Sequence, residues 1–454
     1  MRFSSYNILT PKMKSGDHVL LNGLKGTLDL IDEEAYDLIK SHEDDEELSD
    51  DVMDIIAEFK DDYIKRGYLT ELGSEDEVIS ARQQALEMTE KIDTNRWTIV
   101  LVPNLGCNYR CTYCFEKNEG YPERTMTKEQ VDSVFEIIKD KISPGENLTL
   151  YGGEPLDKRN KELIRYIVEK GKEQDYTFFA VTNGHDLDHY MDLIDNDKIN
   201  SLQITIDGPR EIHNCRRIAL NKESSYDKIV SNVKSVISNK DVSVLLRINI
   251  DKRNITHMLD LLADLDESGI LDNPKVTLSA NSVIGEDNIL LNHNDISKLE
   301  KDVEKNYPIL NGAFTSFNSS TKKLIWPSLL SGEPVQRSAF ACGSASGMKV
   351  FTPDGNIYSC WSAIGYPEHV IGRYDISRNV SWNRDVLDAW SKKTVAYDKM
   401  CYRCKYLFLC SGGCRRPELP NEAHSNAKEC DYYQNMFSEY LAKLTDEYLA
   451  AGNE

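Results

Sequence analysis

No apolar run in this sequence comes near the roughly 20 residues that a membrane-crossing helix requires. The N-terminus, MRFSSYNILTPKMKSGD, lacks the apolar core of a secretory signal. Positive charge is in deficit: Lys and Arg total 54 against 75 Asp and Glu, a net −21. That balance argues against a general nucleic-acid or anionic-membrane surface. There is no repeat of solenoid type and no low-complexity tract. What is present is a globular composition, 40% hydrophobic and 28% charged over 454 residues, a length that suits about two to four domains. The expected compartment is the cytoplasm, where thiols stay reduced.

Cysteine is the residue in surplus. There are 11, an odd number, and ten of them fall in clusters; Cys215 stands alone and reads as an incidental thiol. In a reducing compartment such clusters are metal or iron–sulfur ligands before they are disulfides.

Residues 1–70 read as a small α+β domain. Short apolar runs at 6–9, 19–21 and 28–31 are separated by glycine-containing turns, which predicts a three-stranded meander, and two helices follow. In the second helix Val52, Ile55, Ile56, Phe59 and Tyr63 recur at helical spacing. Residues 43–62 hold 11 acidic residues and one lysine, either a solvated face or a docking surface for a basic peptide. Residues 71–95 read as a polar helical linker. From 96 to 280, β-rich runs (98–102, 148–151, 177–181, 202–206, 242–250, 276–278) alternate with amphipathic segments. Repeated βα units of this kind form a parallel sheet or barrel covered by helices, with its site at the C-terminal ends of the strands. Residues 281–340 are an irregular bridge. Residues 341–454 are rich in Cys, Gly and aromatics and end in an amphipathic helix.

Cys107-Asn-Tyr-Arg-Cys111-Thr-Tyr-Cys114 follows the first of these strands. Three thiolates on one tight loop hold three irons of a [4Fe–4S] cube and leave the fourth iron open to a small molecule. A zinc site would want a fourth Cys or His nearby, and the next histidine after the loop is His185. The C-x3-C-x2-C loop, with Tyr113 before its last Cys, resembles that of the radical S-adenosylmethionine (SAM) superfamily. Gly152-Gly153-Glu154-Pro155, at the end of the second strand, is similar to that family's Gly-Gly-Glu-Pro element.

The resemblance implies a partial (β/α)6 barrel in an α/β fold, with SAM chelating the open iron. Tyr113, Gly152, Gly153, Glu154, Asn183, Thr205 and Arg217 become the candidate SAM-binding residues. Glu154 would hold the amino group, and the glycines would let the backbone approach the ligand. The ends of the third and fourth strands, with Asn183 and Thr205, would reach the ribose. Arg217, or Arg216 beside it, would meet the carboxylate.

The C-terminal pattern is C-x12-G-x4-C, then C-x2-C-x5-C-x3-C, then x15-C. Seven cysteines exceed one tetrahedral site. The pattern resembles the SPASM extension found behind many radical SAM barrels, although zinc ribbons also use paired C-x2-C. By that resemblance Cys401, Cys404, Cys410 and Cys430 hold one auxiliary [4Fe–4S] cluster. Cys342, Cys360 and Cys414 hold another, with a fourth position left to a water or a substrate group. Three clusters and SAM are therefore the expected cofactors, with a reducing partner such as flavodoxin or ferredoxin.

SPASM-type enzymes mostly modify peptides. Residues 1–70 resemble the winged-helix module with which maturases of ribosomal peptides hold a leader peptide, by adding it as a strand to a sheet edge. The implied activity is thioether crosslinking of a precursor peptide through a 5′-deoxyadenosyl radical. Epimerisation or a carbon–carbon crosslink is the runner-up. A rival within the superfamily, anaerobic sulfatase maturase, carries an Asp after the cysteine aligned with Cys360, where this chain has Trp361. A rival from another class is a metal- or redox-sensing regulator, which leaves Gly153 and Glu154 without a role.

Overall fold

The computed structural model describes residues 1–93, 96–114, 116, 123–283, 291–310, 314–414 and 425–452. They form two compact units, neither continuous in sequence. One holds 1–92, 318–345 and 391–454; the other holds 93–317 and 346–390.

The first unit opens with β1 (Arg2–Phe3), β2 (Asn7–Leu9), β3 (His18–Asn22) and β4 (Leu28–Ile31). β2, β3 and β4 form the expected antiparallel meander. Three helices follow where two are expected: α1 (Glu33–Ser41), α2 (Asp50–Ile55) and α3 (Lys60–Arg66). Asp32 and Ser49 cap the first two through Ala35 N–H and Val52 N–H. The apolar spacing across 52–63 is broken by a turn between Ile56 and Phe59. Val52 and Ile56 enter a core with Phe3, Leu20 and Tyr68, while Ile55 and Phe59 stay exposed. β5 (Leu69–Thr70) closes the module by pairing with β1.

The segment expected as a linker is a core element. α4 (Ser74–Glu90) buries Ala81 and Ala85 against Tyr6, Leu24, Ala339, Leu407 and Phe408. Its buried Glu77 accepts from Arg2 Nη2 (2.6 Å), Ser4 Oγ (2.6 Å) and Ser5 N–H (3.0 Å). The module also sits directly on the turn that carries Cys401 and Cys404. Tyr6 donates its hydroxyl to the Tyr402 carbonyl (2.5 Å), and Arg403 pairs with both oxygens of Glu75 (2.8 and 2.7 Å). A Cβ on Gly23 would lie 1.8 Å from the Lys405 carbonyl oxygen. Side-chain packing thus joins the two ends of the chain in one unit, whose limits at 92/93 and 345/346 fall close to the boundaries expected at 95 and 340.

The second unit contains β6 (Thr98–Leu101), β7 (Tyr109–Cys111), β8 (Asn147–Leu150), β9 (Thr177–Thr182), β10 (Ile199–Thr205), β11 (Arg217–Ala219), β12 (Ser243–Ile250) and β13 (Val276–Ser282). Six of them run parallel in the order β13-β12-β10-β9-β8-β6. Between these strands lie helices such as Lys128–Ile138, Lys161–Glu173, Ser225–Asn239 and Met258–Glu267. Each buries an apolar stripe, as βαβ crossovers require. β12 shows the two faces: Val244, Leu246, Ile248 and Ile250 are buried, while Leu245, Arg247 and Asn249 alternate with them and are half-buried. The sheet does not stop at β6. Part of the Cys-rich region joins it, β14 (Met348–Phe351) lying parallel to β6, with β15 (Asn356–Tyr358), β16 (Gly372–Tyr374) and β17 (Val380–Trp382) continuing antiparallel. Pro353-Asp354-Gly355 makes the β14–β15 turn as expected, Gly355 taking φ +81°. Among the described residues no helix is long and apolar enough to cross a membrane.

Two predictions follow from this packing. Gly23→Ala should destabilise the first unit by about 2 kcal/mol or more, since its methyl group meets backbone that cannot yield locally; chemical denaturation measures it. Lys349, buried in β14 with its ammonium over the Trp97 ring, has its pKa drawn down from 10.5 to about 8 by burial. Below pH 8 the folded state holds a charge that burial disfavours. Between pH 8 and 10.5 the unfolded chain binds a proton that the folded one does not, so stability contributed by this site rises with pH. Lys349→Met should therefore stabilise the protein at pH 7, by up to roughly 3 kcal/mol, and the gain should shrink by pH 10.

Candidate active site

The loop after β6 carries Cys107, Cys111 and Cys114, and it is clamped on several sides. Its middle, β7, pairs antiparallel with β11, matching Cys111 with Arg217 and Tyr109 with Ala219. The Tyr109 hydroxyl meets His185 Nδ1 at 3.0 Å. Asn108 donates to Asp186 (3.2 Å) and accepts from Asn183 Nδ2 (2.7 Å). Cys107 and Cys114 each lie within electrostatic reach of Cys111. Burial, then the neighbouring carboxylates Glu154 and Glu116 respectively, push both thiols up, Cys114 to about 11 and Cys107 further. A cationic metal centre reverses that preference and holds thiolates.

The Gly152-Gly153-Glu154 turn is pressed against this loop. Gly152 takes φ +130°. A Cβ there would lie 2.5 Å from the Asn104 carbonyl oxygen, and one on Gly153 would lie 2.2 Å from that of Gly106. The close approach that the glycines permit is thus to the cysteine loop's own backbone. Glu154 N–H donates to the Gly106 carbonyl (3.0 Å), completing the join. The Glu154 carboxyl is buried, accepting from Thr182 Oγ1 (2.5 Å), Asn183 N–H (2.6 Å) and Leu156 N–H (2.9 Å). Burial still dominates and raises it to about 7. A buried acid so placed suits a cationic partner such as an ammonium.

Tyr113 is the hub of a second network. Its hydroxyl donates to Asp207 Oδ2 and accepts from Arg217 Nη1 (2.7 Å) and Asn249 Nδ2 (3.2 Å). Arg216 lies over its ring, 5.0 Å from the centroid. The two arginines differ in commitment. Arg216 is ion-paired with Asp251 (2.9 Å). Arg217 sits beside Cys111 and keeps a buried Nε without a partner. Although burial alone would lower its pKa, Cys111, Tyr113 and Asp207 together raise it. Thr205 is the last residue of β10, buried and in register with Arg247 of β12. Sequence reasoning missed Asn108, Tyr109, His185, Glu116, Tyr151 and Arg247. Only Arg247 had a signal, its alternation with the apolar face of β12.

In the first unit Cys410 lies within electrostatic reach of Cys430, Cys401 and Cys404, and burial first, then these neighbours, push its thiol up to about 12. The four cysteines that the resemblance groups are therefore together. Ser411, Gly412 and Gly413 take φ of +56°, +82° and +64°, the sharp reversal expected between Cys410 and Cys414. Cys342 and Cys414 belong to this unit, and Cys360, after β15, to the other. Among the described residues no three His, Cys, Asp or Glu side chains close on a point fit for a single ion. Clustered thiols are the donor set of an iron–sulfur cube, which spreads its ligands over its corners.

Residues 101–265 match the Radical SAM superfamily. The chain carries a radical SAM domain and is a radical SAM enzyme, a class that uses a [4Fe–4S] cluster and SAM. This sets aside the regulator alternative. The chain is 26% identical to a cysteine-type anaerobic sulfatase-maturating enzyme of Clostridium novyi, over 75% of this chain and 94% of that protein. It is 21% identical to the radical SAM cyclopropyl synthase TigE of Paramaledivibacter caminithermalis, over 96% and 94%. The solved structure of native anSMEcpe with bound AdoMet superposes with a TM-score of 0.59 at 19% identity, over 79% of this chain and all of that one, which shows the shared fold.

Gly153→Ala tests the join between the two loops. Its methyl group should separate the Gly-Gly-Glu turn from the cysteine loop. Reconstituted protein should then lose iron and its SAM binding; iron analysis and SAM titration check both.

Proposed function

We propose that this enzyme matures a ribosomally made precursor peptide, closing thioether bonds from peptide cysteines to carbon. The observation that carries the radical step is the Gly-Gly-Glu turn locked onto the cysteine loop, with Glu154 buried on one side and Arg217 beside Cys111 on the other. In this reading Cys107, Cys111 and Cys114 hold the SAM cluster, Glu154 takes the SAM ammonium and Arg217 its carboxylate. Held there, the cluster would supply the reducing electron for SAM cleavage, the source of the radical chemistry that would remove hydrogen from a peptide carbon. Asn183, which also orders the cysteine loop through Asn108, and Thr205 would reach the SAM ribose.

Two auxiliary clusters complete the set, one on Cys401, Cys404, Cys410 and Cys430, the other on Cys342, Cys360 and Cys414. A substrate thiolate would complete the second, since iron binding favours the deprotonated sulfur, and that cluster would accept the electron that the carbon radical gives up as the carbon–sulfur bond closes. A flavodoxin or ferredoxin serves as donor. Trp361 supports a route without a separate protein base: it stacks on Tyr151 (5.3 Å, 19°) where sulfatase maturases carry Asp.

The peptide reading draws on relatives whose names describe sulfatase maturation and cyclopropyl synthesis. TigE, aligned over nearly the whole chain, favours a second product class, a new carbon–carbon bond. Residues 1–70 serve as the leader-binding module. Strand addition at β4 requires Arg66 to move, because it pairs with Asp29 and donates to the Leu28 carbonyl (3.1 Å).

Replacing Cys107, Cys111 and Cys114 together by Ala should abolish SAM cleavage and leave the iron of the auxiliary sets in place. The modified peptide should be lighter by two hydrogens and poorer by one alkylatable thiol per bond. A product of the same mass that has exchanged hydrogen with solvent would make the enzyme an epimerase. Loss of two hydrogens with every thiol intact would favour the carbon–carbon reading.

A further inference from the structure

Three arginines gather around Tyr113, and two have partners. Arg216 is paired with Asp251 (2.9 Å), and Arg217 donates to Tyr113 beside Cys111. Arg247 is different. It projects from the half-buried face of β12, next to Thr205, and donates only Nε, to Asn249 Oδ1 (3.0 Å). Among the described residues it makes no other hydrogen bond and no ion pair. Asp207, the acid that bears on it electrostatically, is already engaged: its Oδ2 takes the Tyr113 hydroxyl and its Oδ1 the Asn249 N–H (2.9 Å).

A guanidinium withdrawn from water without a counter-charge is unfavourable. Its planar Nη edge is shaped for the two oxygens of a carboxylate. Position narrows the choice of carboxylate. The first electrostatic neighbour of Arg247 is Tyr151, the ring stacked on Trp361 and within reach of both Cys114 and Cys360. Arg247 thus stands between the Tyr113–Asp207 network and Tyr151, at the strand ends, whereas Arg217 is held against Cys111.

We infer that Arg247 is a specificity-determining residue whose free guanidinium edge binds a carboxylate of the peptide substrate close to the residue that is modified. The inference rests on the peptide reading above. An acidic side chain and a peptide C-terminus present the same group, so the test separates them.

Three N-acetylated heptapeptides serve as probes for the reconstituted full-length enzyme with SAM. One has a central Asp and an amidated C-terminus, one a central Asn and an amidated C-terminus, and one a central Asn and a free C-terminus. Affinity is read by fluorescence titration, and SAM affinity is measured separately. One of the carboxylate-bearing probes should bind at least about tenfold more tightly than the neutral one, as a charge-assisted hydrogen bond implies. Arg247→Gln should bring that ratio close to one, and Arg247→Lys should keep part of it. Equal binding of all three probes by the native enzyme overturns the role of Arg247 and leaves the peptide reading standing. Retention of the ratio in Arg247→Gln overturns it as well. So does a fall in SAM affinity larger than the fall in the ratio, which would place the arginine at the SAM carboxylate. Binding of none of the probes, with SAM cleavage intact, overturns the inference, while the peptide reading, which rests on the leader module, is left to the mass of the modified peptide.

Discussion

The active site depends on one contact between two pieces of backbone. The Gly-Gly-Glu turn and the cysteine loop come from the ends of different strands, and they meet where neither Gly152 nor Gly153 has a side chain. From that contact the position of Glu154 follows, and from Glu154 the anchoring of Thr182 and Asn183 at the end of β9. Asn183 in turn bonds Asn108, which returns to the cysteine loop. The circuit closes on itself, so three strand ends are fixed relative to one another before any ligand arrives. This is preorganisation in the usual sense: the groups that would meet charge are held by neighbours rather than by what they bind.

The same economy of contacts explains why the arginines are not equivalent. Arg216 and Arg217 are adjacent in sequence and both buried, and each keeps its Nε without a hydrogen-bond partner, yet one closes an ion pair with Asp251 and the other donates to Tyr113 beside Cys111. The strand β11 begins at Arg217, and its pairing with β7 turns that side chain toward the thiols. Backbone register, not residue type, decides the difference.

Much of the barrel and its cysteine loop was legible in the sequence because both have local signals. Alternating β and helical periods marked the parallel strands, and short cysteine spacings with Gly-Gly-Glu marked the strand ends. What was not legible arises from long-range packing. The helix at 74–90 has a polar surface and few large apolar residues, so it read as a linker; its two buried alanines gain their meaning only from Tyr6, Leu407 and Phe408 arriving from elsewhere. The spacing at 52–63 suggested one helix, and the chain broke it into two: Val52 and Ile56 enter the core, Tyr63 packs on it from the second helix, and Ile55 and Phe59 stay exposed. β14 was recognisable as half of a hairpin, but nothing local says that it also extends a parallel sheet. The supporting shell of the site, Asn108, Tyr109 and His185, consists of common residues at unremarked spacings, and only the fold brings them together.

Tyr6 and Tyr402 share a hydrogen bond while standing 396 positions apart in the chain. During synthesis the N-terminal module leaves the ribosome long before the turn it rests on, and its surface around Tyr6, Leu24 and Ala85 waits uncovered until the last segment emerges. Contacts of such separation are late and slow to form. The barrel is in a similar position, since β6 lacks one neighbour until β14 has been made. Neither unit can complete its fold from a truncated chain. Both units therefore finish folding only after the segments from 346 onward have been made.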